Sequence, residues 1–121
     1  MAKGVYVGVS TQRPIYNTEN VSVTASNISS VFTVANDTYY FAGSGSVFTS
    51  NNAGVKSSTA KTTLTALTDM DVSFTYSYSS ETNYDKFTLT VGGTVVENAV
   101  SGSTVTKTHS ATLAQGQTII F

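Results

Sequence analysis

The feature that most constrains this chain is the alternation in Asp71-Val72-Ser73-Phe74-Thr75-Tyr76-Ser77-Tyr78-Ser79. Val72, Phe74, Tyr76 and Tyr78 occupy every second position with polar residues between them, so an extended backbone sends all four to one face. A helix would scatter them around its circumference. The segment predicts a half-buried antiparallel strand, with Tyr76 and Tyr78 as core residues whose hydroxyls reach toward the rim. Lys86-Phe87-Thr88-Leu89-Thr90-Val91 repeats the period with Phe87, Leu89 and Val91 inward, and Gly92-Gly93 supplies a two-residue hairpin turn into Thr94-Val95-Val96-Glu97.

The same period recurs along the chain, predicting further strands over 21–25, 31–34, 39–42, 46–49, 59–67, 104–113 and 117–121. Between them lie Asn36-Asp37, Gly43-Ser44-Gly45, Asn51-Asn52-Ala53-Gly54, Ser80-Glu81-Thr82-Asn83, Ser101-Gly102-Ser103 and Gln115-Gly116. These are turn residues, because Asn, Asp and Gly tolerate left-handed backbone and Ser bonds locally. No segment keeps a helical period. The expected fold is all-β: an antiparallel β-sandwich, jelly-roll-like, with an extended N-terminal arm.

The arm is drawn from the single proline. Pro14, in Thr11-Gln12-Arg13-Pro14-Ile15-Tyr16, reads as an extended connector, which divides the chain into an arm over 1–17 and a sandwich over 18–121. An isolated arm with Val5, Val7 and Val9 alternating against Tyr6 and Gly8 exposes an apolar strand edge that invites pairing with another chain. Val5, Tyr6, Val7 and Val9 are therefore the expected anchoring residues. At the other end Ile119-Ile120-Phe121 closes the chain on three apolar side chains, which predicts a strand paired within the sheet and followed by more chain or by a neighbouring subunit's strand.

Composition narrows the function. A chain of 121 residues buries enough surface for one core without disulfides, and it has no cysteine. Its 17 Ser and 21 Thr outnumber the charged residues, which make up 11%, so hydroxyls replace charges as the surface polar groups. Six basic residues against seven acidic ones, without a Lys/Arg run, leave no patch for phosphate neutralisation and argue against nucleic acid as a partner. No apolar run approaches the ~20 residues that cross a bilayer, and the segment after Met1 is not a signal-peptide core, so no membrane partner is expected.

Catalytic constellations lack their parts. His109 is the one histidine, set mid-strand between Thr108 and Ser110 with no glycine-elbow serine in the chain, and one His without Cys does not build a zinc site. Asp69, Asp71, Glu81, Asn83 and Asp85 offer oxygen ligands for calcium around the strongest strand. Without a spaced D-x-D-x-D-G loop they read as turn-capping acids, and no metal, cofactor or catalytic residue is assigned. Tyr39-Tyr40-Phe41 must send rings to both faces of its strand, and Tyr40 is the expected surface-binding residue. Thr104, Thr106, Thr108, Ser110 and Thr112 form a hydroxyl ladder on one strand face, a stiff uncharged surface suited to water.

Two segments carry a resemblance. Residues 37–54, Asp-Thr-Tyr-Tyr-Phe-Ala-Gly-Ser-Gly-Ser-Val-Phe-Thr-Ser-Asn-Asn-Ala-Gly, and 72–87, from Val72 through Ser79-Ser80-Glu81-Thr82-Asn83-Tyr84-Asp85 to Phe87, resemble a β-sandwich module of tail, baseplate and minor structural proteins of bacteriophages infecting Gram-positive, clostridia-like bacteria. The module is similar to adhesive or carbohydrate-binding-like modules of bacterial surface proteins, in which an S-S-E-x-x-Y-D run precedes a strand and a G-x-T-x-x-F strand closes the sheet. The likeness covers about residues 28–121, and Val5-Tyr6-Val7-Gly8-Val9 resembles a short motif of such virion proteins. It departs after Phe121, where the family continues with a polar loop and another strand.

The resemblance implies a non-enzymatic virion structural protein of a tailed phage or phage-tail-like particle, decorating the particle or contributing to host-surface attachment. Its implied partners are other virion proteins, further copies of the chain and a host-surface glycan. The implied location is the virion, made in the host cytoplasm and released by lysis. The alternative is a carbohydrate-binding module of a secreted or cell-surface bacterial protein.

Overall fold

A computed structural model describes the backbone of residues 4–12, 20–80 and 84–121, and the side chains of 23–80 and 84–121. Among the described residues the strands are β1 (Gly4–Gln12), β2 (Asn20–Val23), β3 (Phe32–Asn36), β4 (Phe41–Ser44), β5 (Val47–Ser50), β6 (Thr62–Ala66), β7 (Met70–Ser79), β8 (Phe87–Val91), β9 (Thr94–Val100), β10 (Val105–Leu113) and β11 (Thr118–Ile120). Among the described residues the helical content is one 3-10 turn, Ile28–Ser30. All strand pairs are antiparallel, and they form two sheets packed face to face as an all-β sandwich. One sheet runs β10-β7-β1-β5-β4 with β2 also paired to β1, and the other runs β3-β6-β11-β8-β9.

The order of crossings explains the topology. From β5 to β8 the chain alternates between sheets, β8 and β9 form a hairpin, and β9 to β11 alternate back. The pairs therefore nest: β8 with β9, β7 with β10, β6 with β11. The outermost pair is β5 with β1. This is a jelly roll in which the N-terminal strand fills the place, between β5 and β7, that a strand following β11 takes in the ordinary chain order.

That placement corrects the expected arm. The backbone of β1 pairs with β7 over nine positions, from Gly4↔Ser79 to Gln12↔Asp71. On its other side it meets β5 at Tyr6↔Thr49 and Val7↔Phe48, and β2 from Val9↔Val23 to Gln12↔Asn20. The division into 1–17 and 18–121 separates a strand from the sheet it completes. The physical reason is backbone satisfaction: with β1 detached, its own donors and acceptors and the facing edges of β5 and β7 would all be unpaired. Val5, Tyr6, Val7 and Val9 lie mid-sheet, so the open strand edge from which their anchoring role was drawn is not there; their side chains, like Pro14, lie outside the described residues.

The predicted faces hold in the core. Along β7, Met70, Val72, Phe74, Tyr76 and Tyr78 are buried while the intervening residues are not, and on β8 Phe87, Leu89 and Val91 are buried. Gly92 and Gly93 have φ of 57° and 84°, the left-handed pair that a tight hairpin turn demands. The apolar end is accounted for as well: β11 sits between β6 and β8, Ile119 is fully buried, and the Phe121 ring meets Phe41 at 5.6 Å and Phe74 at 5.8 Å between centroids. Hydrogen bonds from Thr62 N to Phe121 O (3.1 Å) and from Phe121 N to Thr62 O (3.0 Å) hold it.

One strand breaks its alternation. Leu89 pairs with Glu97 and Phe87 with Val100, which leaves an extra residue in β9 on either side of Glu97. The non-glycine Ala99 takes φ 50°, and its N–H is received by Thr88 Oγ1 at 3.1 Å. These bulges re-aim side chains, so neighbouring Val96 and Glu97 both turn inward where a regular strand would turn one of them out.

Candidate functional site

The outer face of β7 and β10 is a regular polar surface. Register places Thr112 opposite Asp71, Ser110 opposite Ser73, Thr108 opposite Thr75 and Thr106 opposite Ser77. Paired residues share a face, and three of these rungs bond across it: Thr112 Oγ1 to Asp71 Oδ1 at 2.7 Å, Ser110 Oγ to Ser73 Oγ at 3.2 Å, and the Thr75 and Thr108 hydroxyls at 3.1 Å. The expected ladder is present from Thr106 to Thr112, and Thr104 precedes the strand. Beneath it, Phe74, Tyr76 and Tyr78 pack into the sandwich and hold the face in place. His109, pairing with Phe74 in the register and meeting its ring at 5.8 Å, points to the inner side, away from the hydroxyls.

Tyr40 lies at the other end of the same sheet. It precedes β4, and its backbone exchanges two bonds with Asn51, Tyr40 N to Asn51 Oδ1 at 2.8 Å and Asn51 N to Tyr40 O at 2.9 Å. The residue is half-buried rather than displayed, and its side chain forms part of the wall of a cavity of about 160 Å3 between the sheets. The wall is apolar apart from Tyr40, Asn36 and Thr62. Thr62 joins the two sheets there: its Oγ1 receives Phe41 N–H from β4 at 2.9 Å and donates to Asn36 Oδ1 of β3 at 2.9 Å. The exposed aromatic ring that sequence reasoning sought at Tyr40 is found at Tyr84, which is 79% exposed.

A third polar group lies inside. Glu97 is 7% exposed, and its Oε1 receives the Tyr76 hydroxyl at 3.0 Å and Lys107 Nζ at 2.8 Å. Burial first, then the bond to Glu97, its charge and nearby Tyr78, push the Tyr76 hydroxyl from 10.0 up to about 12. The bond to Glu97 likewise raises the Lys107 ammonium. Both shifts hold the protonated donors in place around a carboxylate, which is a structural clamp between sheets. Sequence reasoning missed Glu97 because it read β9 as a regular strand.

The acidic residues considered for calcium do not converge among the described residues. Asp69 Oδ1 receives Gln115 N at 2.8 Å and Asp71 Oδ1 receives Thr112, so both serve as protein acceptors. Glu81 and Asn83 lie outside the described residues. Among the described residues, no helix is long and apolar enough to cross a membrane. Comparison of the chain with protein-family models, with curated proteins and with solved structures returns no match.

Proposed function

We propose that the chain is a non-enzymatic structural module of a tailed-phage virion or phage-tail-like particle, where it decorates the particle or contributes to host-surface attachment. The observation that carries this reading is the β7–β10 face. Its rungs of Ser and Thr bond to one another across the strands, so the surface is uncharged apart from Asp71, ordered before any partner arrives, and rich in groups that both donate and accept. Preordered hydroxyls lose little side-chain freedom on contact, which favours broad, repeated, low-charge contacts with other virion proteins, further copies or a glycan. The family resemblance of residues 37–54 and 72–87 supplies the particle.

The test is mass spectrometry of purified particles from a lysed producing culture. The reading expects the chain in fixed stoichiometry with the other structural proteins. Its recovery only as free protein, with none co-purifying with particles, would contradict it.

A second reading, a carbohydrate-binding module of a secreted or cell-surface protein, is favoured by one observation. Tyr84, next to Asp85 in the chain, is exposed to water, as a ring that stacks on a sugar face must be. A glycan array separates the two: specific glycan binding that Tyr84→Ala abolishes and that Ser73→Ala and Ser110→Ala leave unchanged supports the second reading, whereas loss in the serine variants puts the glycan on the β7–β10 face.

A further inference from the structure

The cavity beside Tyr40 is too small for an ordinary ligand and too large to be a packing defect. We propose that it is a binding site for a single six-membered aromatic ring, free or carried as one side chain of a partner. This stands apart from the attachment reading, which rests on the outer face at the opposite end of the sheet.

Size sets the upper limit. The volume is about 160 Å3, whereas drug-sized ligands occupy roughly 300–1,000 Å3. An apolar cavity of about 150 Å3 stays dry and accepts benzene. The lining matches that requirement: Ile28, Val34, Phe41, Phe48, Leu64 and Phe121 supply aliphatic surface and three phenyl rings, against which an entering ring packs edge to face. Of the wall's polar groups, the Thr62 hydroxyl already accepts from Phe41 N–H and donates to Asn36.

Local sequence keeps the space open. Gly43 pairs with Phe48 across β4 and β5, and a Cβ at Gly43 would lie 2.7 Å from both Phe48 Cε1 and Ala25 Cβ. The missing side chain lets the Phe48 ring lie against the backbone. Access comes from between the sheet edges, since β3 and β4 are the terminal strands of their sheets and Asn36 and Ala42 of the wall are exposed.

The test is a methyl NMR titration of the full chain with toluene. The proposal expects saturable shifts of the Ile28, Val34 and Leu64 methyls, with half-saturation on the order of 1 mM or tighter, as seven heavy atoms allow. Benzoate, the same ring bearing a charge, should bind at least tenfold more weakly. Val34→Phe, or Ile28→Phe should the first not fold, should fill the space and weaken toluene at least tenfold while the protein still unfolds cooperatively. N-acetylphenylalanine amide distinguishes the sources: saturable shifts of the same methyls assign a chain-borne ring, and toluene binding without them assigns a free one. Toluene shifts that do not saturate or that fall on other methyls, benzoate binding as tightly as toluene, or unchanged affinity in the folded filled variant would each overturn the proposal.

Discussion

At the edge where β9 meets β10 the two sheets are joined by a buried carboxylate, Glu97, taking hydrogen bonds from Tyr76 and Lys107. At the opposite edge, where β3 faces β4, they are joined by a neutral chain, Phe41 N–H to Thr62 to Asn36, beside a cavity. A carboxylate withdrawn from water is tolerated only with its donors in place, so the first edge is set by bulges that aim Glu97 and by packed rings around Tyr76. A hydroxyl needs less. Thr62 satisfies one buried N–H and leaves room alongside, so the second edge holds together without being filled. The difference teaches that closing a sandwich and packing it are separable tasks.

Both edges depend on the middle strand, which gives the largest expected effect. Deleting residues 1–17 should abolish cooperative unfolding, because β5 and β7 lose the strand that both pair with. A truncated protein that melts cooperatively near the full-length temperature would restore the detachable arm and remove the common support of the two edges. Next is Phe74→Ala, which deletes a buried ring in contact with Tyr76 on one side and Phe121 on the other. It should cost about 3–5 kcal/mol in denaturant unfolding. A loss below about 1 kcal/mol would mean that the core does not link the edges.

Smaller effects address each edge separately. Thr62→Val keeps the shape but leaves Phe41 N–H buried without its acceptor, for about 1–3 kcal/mol. Glu97→Gln retains an acceptor for Tyr76 and removes the charge, for about 1–2 kcal/mol measured the same way. Its distinguishing mark is pH dependence. The unfolded chain releases the tyrosine proton near 10.0 and the folded chain near 12, so the stability this group contributes is intact below pH 10 and is lost as pH rises through 12. Lys107, also raised, acts with the same sign. Glu97→Gln should reduce that alkaline loss without abolishing it, since burial, the largest cause of the Tyr76 shift, remains, and Thr62→Val should leave it unchanged.

Much of this architecture was legible in the sequence for a physical reason. A strand with one buried face writes that face into every second residue, which is why β7 and β8 were read side chain by side chain and the Gly92-Gly93 turn with them. Two things were not legible. Pro14 marks a break equally well before an arm or within a hairpin connection, and alternation alone does not say which strands will flank β1. Bulges are equally silent, since Thr94-Val95-Val96-Glu97 reads as a plain strand until its register against Leu89 is known. The site showed the same limits: the hydroxyl ladder is a periodic feature and was found, whereas the half-burial of Tyr40 and the exposure of Tyr84 are set by neighbours distant in sequence.

β1 belongs to the middle of the sheet, and the filled edge should be the more stable of the two. Native-state amide hydrogen exchange measures both at once. Val5 to Val9 should exchange with β7 and β10 only through global unfolding, while β3 and β4 should open at lower free energy beside the cavity. Rapid exchange across Val5 to Val9 with β7 still protected, or β3 and β4 protected as fully as β10, would contradict it.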